Sequence, residues 1–89
     1  MRIQVKARAK PDTYGGYRFW LRKGQSLSYT TSDTDIMALV ALDQRRVYFR
    51  PIVDISSPTV SIHADAFRDG VETMTWANSI SRVIGSSWT

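Results

Sequence analysis

Cysteine is absent from this 89-residue chain, and histidine occurs once, at position 63. A disulfide framework, a thiolate zinc site and a cysteine nucleophile are therefore excluded. His63 stands beside many serines, but no nucleophile-elbow pattern accompanies it, so it reads as structural rather than as the base of a serine hydrolase. Long apolar runs are also missing. The longest, Ile36 to Leu42, has seven residues, whereas a membrane span needs about 20. Met1-Arg2-Ile3-Gln4 opens straight into a strand-like pattern, and the expectation is that there is no signal peptide. The expectation is a soluble, intracellular protein with no membrane partner. No internal repeat or low-complexity segment is evident, and the length suits one domain over residues 1–89.

Charge is present but unevenly placed. The net charge is +4. Residues 1–50 carry ten Lys and Arg against four acids, and residues 51–89 carry two against four. A basic half beside a mildly acidic half suggests one side that faces a polyanion.

The hydrophobic pattern has period two first and a helical period last. In residues 2–9, Ile3, Val5, Ala7 and Ala9 alternate with Arg2, Gln4, Lys6 and Arg8, the mark of a half-buried strand. The expectation is that Ile3 and Val5 are buried behind Gln4 and Lys6. Pro11 to Gly16 reads as a turn. A strand over 17–22 puts Tyr17, Phe19 and Leu21 on one face, with Arg18, Trp20 and Arg22 on the other. Residues 25–35 are polar and loop-like, with a short strand possible near Leu27 to Thr30. The run 36–42 has no polar face and fits a central strand covered on both sides. Asp43 to Arg46 is a hairpin connection, 47–51 pairs back, and 59–62 forms a further short strand. Asp69-Gly70-Val71-Glu72 fits a capping box. Trp76, Ile80, Val83 and Ile84 share one face of a helix predicted over about 70–84. The predicted class is α+β: a small mixed or antiparallel sheet of four to five strands with a C-terminal helix docked on it.

Few residue groups offer chemistry. Gly15-Gly16 is a turn rather than a phosphate loop, because no helix follows it. Asp33 and Asp35 have the spacing of a divalent-ion pair, although acids in a Ser/Thr-rich loop more often cap or turn the chain. Gln4 and Lys6 project from one strand face. An oxygen ligand beside an ammonium suits metal-assisted phosphodiester cleavage: the oxygen helps to hold Mg²⁺, and the ammonium orients water and offsets developing charge. An exposed Gln-x-Lys is also a common solvated pair. Arg8, Lys10, Arg18, Arg22 and Lys23 lie on the polar faces of two strands joined by a short turn, where they can track phosphates. Trp20 shares that face and offers a ring for stacking on a base, or for packing under other protein.

The order of these segments carries a resemblance. Gln4-Val5-Lys6 is followed by Gly15-Gly16-Tyr17-x-Phe19-x-Leu21-Arg22, then by Asp33-x-Asp35-Ile36 leading into an apolar strand, then by Val47-Tyr48-Phe49-x-Pro51. This string resembles the PD-(D/E)XK nuclease superfamily, in the branch of group I intron-encoded homing endonucleases and related phage and bacterial proteins. It covers about residues 2–53; the C-terminal third matches loosely, as a strand and a Trp-containing helix. The resemblance implies Gln4 and Lys6 as catalytic residues, Gln4 as a weak neutral metal ligand, Mg²⁺ as cofactor where a site is complete, and DNA as partner. It also implies the cytoplasm of a bacterial or phage-infected cell. The family carries a helix and a strand with the main metal-binding Asp upstream of its Gln-Val-Lys strand. Met1 stands where that strand has already passed, so the chain resembles the second half of the core.

Two functional expectations follow. The first is a DNA-associated protein forming one half of a split Mg²⁺-dependent endonuclease, its metal site completed by a second chain that carries the missing N-terminal half. The second is a non-catalytic interaction protein, a phage-type inhibitor or assembly subunit that reuses a nuclease-like half-fold. Both leave a sheet edge and an apolar face for another chain, so a homodimer or a heteromeric complex is expected.

Overall fold

Ile36–Ala41 lies at the centre of a three-stranded sheet, as its uninterrupted apolar character predicts. In the computed structural model, which describes residues 1–23, 27–28 and 34–88 (backbone only for 22, 23, 27, 28 and 86–88), the strands are β1 (Ile3–Arg8), β2 (Gly16–Trp20), β3 (Arg22–Lys23), β4 (Leu27–Ser28), β5 (Ile36–Ala41), β6 (Arg46–Pro51) and β7 (Thr59–His63), followed by helix α1 (Val71–Trp88). The class is α+β. The strands divide between a mixed sheet of order β1–β5–β6 and two antiparallel ladders, β2–β7 and β3–β4. β1 runs parallel to β5, and β6 runs antiparallel to it. Leu42 falls just past β5 and is exposed. No helix of the described residues is long and apolar enough to cross a membrane.

The core forms between the two larger ladders. Met37, Leu39 and Ala41 alternate onto one face of β5 and pack with Tyr17 and Phe19 of β2, Val60 and Ile62 of β7, and Phe67. Tyr17 meets Phe67 edge-on at 5.0 Å. Its hydroxyl donates to Asp43 Oδ1 at 2.6 Å and accepts from Gln44 Nε2 at 3.0 Å. That pairing resolves the one polar atom of an otherwise buried ring and ties the hairpin connection to β2.

The first strand alternates as expected, but its burial is the reverse of the expected one. Ile3 and Val5 are 44% and 57% exposed, while Gln4 and Lys6 are half-buried. The cause is the placing of the layers. Gln4 and Lys6 share a face with Met37 and Leu39, and that is the face the β2–β7 ladder covers. α1 packs along β6, at the far side of the sheet, so the apolar side of β1 has no lid among the described residues.

Helix α1 closes the outer edge of β6 with its side chains. The N–H groups of Val47 and Phe49 donate to Glu72 Oε2 at 2.9 Å and to Thr75 Oγ1 at 3.0 Å. Thr75 Oγ1 in turn donates to the Val71 carbonyl at 2.6 Å. The buried stripe is therefore Val71, Thr75 and Ser79. Of the expected stripe of Trp76, Ile80, Val83 and Ile84, Ile80 and Val83 are half-buried at the flank of this contact, while Trp76, which meets Phe49 edge-on at 5.0 Å, and Ile84 are exposed. The expected capping box is likewise replaced, because both of its acids turn to β6. Asp69 and Glu72 pair with Arg46, and Glu72 also takes the Val47 amide. Ser79 continues the 72–75–79 series, but the strand position that follows Phe49 on this edge is Pro51, which has no N–H. Ser79 Oγ is buried with no hydrogen-bond partner.

Candidate nucleic-acid interface

The turn between β1 and β2 brings two basic strands together. Asp12 Oδ1 accepts the N–H groups of Tyr14 at 2.9 Å and Gly16 at 3.1 Å. The Gly15 N–H donates to the Asp12 carbonyl at 3.0 Å, and Gly15 has φ of 81°, a backbone region that strongly favours glycine. These bonds fix the loop and hold the Asp12 carboxyl below its ordinary value of 3.8; the two amides contribute first, and the nearby charges of Arg18 and Arg8 add to them. Both arginines line the same cleft as this carboxylate.

Arg8, Arg18, Trp20, Tyr14, Thr13 and Asp12 line an open cleft of about 330 Å³. Tyr14 at the tip of the turn is 90% exposed, and Trp20 is 52% exposed. Of the expected DNA-contacting residues, Arg8, Arg18 and Trp20 thus come together. Lys10 is exposed beside the cleft without lining it. Arg22 and Lys23 fall on β3, and their side chains lie outside the described residues. Tyr14 escaped the sequence reading because turn residues were read only as chain reversal; an aromatic inside Asp12-Thr13-Tyr14-Gly15-Gly16 was the available signal.

Gln4, Lys6 and Arg8 occupy successive positions on one face of β1, opposite Met37, Leu39 and Ala41 of β5. Positions two apart on a strand are about 6.6 Å apart; Gln4 and Lys6 precede Arg8 on its face of β1, and of the three only Arg8 lines the cleft. β1 is also a sheet edge. The Arg2 and Arg8 carbonyls accept from Ile36 and Leu42 at 3.2 and 2.9 Å. The even positions therefore turn their backbone groups to β5, and the odd positions Ile3, Val5 and Ala7 turn theirs outward. No strand among the described residues pairs with that side.

Among the described residues, ligands for a metal are few. Gln4 offers one neutral oxygen, a poor ligand for a hard cation by itself. Asp35 is engaged elsewhere: its Oδ2 accepts the Arg2 N–H at 2.8 Å and lies 3.7 Å from Arg2 Nε. The Arg2 amide, then its charge, hold the Asp35 carboxyl below its ordinary value. Asp33 lies outside the described residues. No group of three His, Cys, Asp or Glu residues able to hold a metal occurs among the described residues. His63 is occupied locally, its Nδ1 accepting the Asp65 N–H at 3.2 Å. No protein family, curated protein or solved structure matches the chain.

Proposed function

We propose that this chain is a DNA-associated protein of nuclease type, in which Gln4 and Lys6 form one side of a Mg²⁺-dependent phosphodiester-cleaving site completed by a second chain. The observation that carries the reading is the row Gln4–Lys6–Arg8 on an open edge strand, whose last member lines a cleft with Arg18, Tyr14 and Trp20. The resemblance of residues 2–53 to PD-(D/E)XK nucleases points the same way. Among the described residues no acidic cluster stands beside Gln4, so in this reading the carboxylate that fixes Mg²⁺ comes from a strand added beside β1. In that arrangement Lys6 offsets charge on the scissile phosphate, Gln4 orients a ligand or water, and Arg8 and Arg18 hold the flanking backbone.

Two measurements test this. Fluorescence anisotropy on labelled DNA is expected to give binding that weakens steeply with salt, with a shallower slope after Arg8→Ala or Arg18→Ala. Supercoiled-plasmid nicking by the purified chain with Mg²⁺ is expected to be absent. Nicking that Lys6→Ala abolishes would show that the chain holds a complete site, and no DNA affinity at low salt would overturn the reading. A second reading, a non-catalytic interaction protein, is favoured by the uncovered Ile3 and Val5. Salt-insensitive self-association without DNA binding would establish it.

A further inference from the structure

The cleft between β1 and β2 has features that a duplex does not use. A duplex presents phosphates and groove edges to a protein, but its base faces are covered by stacking. Arg8 and Arg18 suit the phosphates of either form of DNA. Tyr14 and Trp20 suit something flat and apolar with an exposed face, and the bases of a single strand provide that. The two rings stand in the same concavity as the two guanidinium groups, so a backbone held on the arginines passes its bases across the aromatics.

Several observations show that this arrangement is built in. Tyr14 is a large aromatic at 90% exposure, yet its backbone is pinned by the Asp12 carboxylate on one side and by the Gly15 turn on the other. The ring therefore projects from a fixed point, which lowers the entropy lost on binding. Trp20 and Arg18 project from β2, whose intervening residues Tyr17 and Phe19 are fully buried, so the strand cannot rotate them away. The volume of about 330 Å³ is at the small end of the roughly 300–1,000 Å³ range of ligand clefts.

We infer that the Arg8–Tyr14–Arg18–Trp20 cleft binds unpaired nucleotides, so that the DNA this protein engages is single-stranded or locally opened. The inference rests on the DNA-associated reading above and narrows its substrate class. It also places the unpaired segment next to Lys6, one strand position along the same face from Arg8.

The test is fluorescence anisotropy with a 20-nucleotide labelled oligodeoxythymidylate, a duplex of the same length and an oligouridylate, at one fixed salt concentration. The single DNA strand is expected to bind about tenfold or more tightly than the duplex. Tyr14→Ala and Trp20→Ala are each expected to weaken single-strand binding about 5- to 150-fold, the range for losing one base stack, and to weaken duplex binding by less, so that the preference for the single strand narrows. Arg8→Ala and Arg18→Ala are expected to weaken both. Tyr14 is exposed and donates only its backbone N–H to the turn, so Tyr14→Ala keeps the fold and is the decisive variant. Duplex binding equal to or tighter than single-strand binding, or no effect of Tyr14→Ala, overturns the inference while leaving the DNA-associated reading intact. Tighter binding of oligouridylate overturns the assignment to DNA, and absence of binding to all three probes overturns both.

Discussion

The Glu72 carboxylate accepts the backbone N–H of Val47 at 2.9 Å, so a helix side chain occupies the position that another strand would take on β6. Thr75 does the same for Phe49. The two edges of the β1–β5–β6 sheet are thereby made unequal. One is closed by α1, and the other, at β1, has no strand beside it among the described residues. Growth of the sheet by strand addition is confined to the side that bears Gln4, Lys6 and Arg8.

Glu72 makes this closure sensitive to acid. The Val47 amide first, and Arg46 with it, hold the Glu72 carboxyl below its ordinary value of 4.5. The unfolded chain thus binds this proton more tightly than the folded one. The contribution of Glu72 is complete above the ordinary value and is lost as pH falls through the lower folded value. Glu72→Gln is expected to lower the melting temperature at pH 7, with a deficit that shrinks as pH drops below 4.5. The carboxylate is partly solvated, so the loss at pH 7 is small, about 1 kcal/mol. Thermal melts of both proteins from pH 7 to pH 3 check this, and a deficit unchanged by pH would contradict it.

Thr75 and Ser79 occupy equivalent helix positions but face different partners. Thr75→Ala removes the acceptor for the Phe49 amide and is expected to destabilise the fold by about 1–3 kcal/mol. Ser79→Ala deletes a buried hydroxyl with no hydrogen-bond partner, opposite Pro51, and introduces a better helix former. It is expected to be neutral or to stabilise by up to about 1 kcal/mol. Urea denaturation of the two variants gives the comparison, and a Ser79→Ala loss as large as that of Thr75→Ala would show that the hydroxyl has a partner in solution.

Leu39 is fully buried at the centre of β5, between Lys6 and Tyr48 in the ladder and against the β2–β7 layer. Leu39→Ala is expected to cost about 2–5 kcal/mol, a large part of the roughly 5–15 kcal/mol of a small domain. A loss under about 1 kcal/mol by urea denaturation would mean that the layer above Leu39 collapses to refill the space.

Residue type and spacing made the strands legible, but not what lies over them. The alternation in residues 2–9 marks a strand with an apolar and a polar face. Which face is covered depends on where β2–β7 and α1 land, and no periodicity within β1 contains that information. The helix shows the same limit. Trp76 and Ile80 have the larger hydrophobic signal, yet Thr75 and Ser79 face inward, because the contact is with backbone amides at a sheet edge rather than with an apolar layer. At the cleft, Arg8, Arg18 and Trp20 were legible as polar-face residues of two strands. Their convergence required the Asp12–Gly16 turn geometry, and Tyr14 emerged only with it.

The open edge leads to a prediction about assembly. Ile3, Val5 and Ala7 direct their backbone groups away from β5, and the side chains of Ile3 and Val5 are largely exposed. Ile3 continues into an apolar groove lined by Phe49, Trp76 and Ala77. An antiparallel pairing of two β1 strands about Val5 would place Ile3 opposite Ala7 and Gln4 opposite Lys6. Arg2 would face Arg8, a like-charge contact softened because Arg2 lies beside Asp35. The closed two-fold arrangement is the commonest form of oligomer. β1 itself carries no carboxylate, so this pairing is the state of the chain alone, and the second chain of the proposed cleavage site would compete for the same edge. For the chain alone, light scattering at micromolar concentration is expected to give a mass near twice 10.1 kDa. Val5→Pro removes an outward N–H without touching the β5 ladder and sits where an edge strand tolerates proline. It is expected to return the protein to the monomer with its fold retained. A monomeric parent chain would leave the edge to a different strand, and a dimer that survives Val5→Pro would place the contact elsewhere on the molecule.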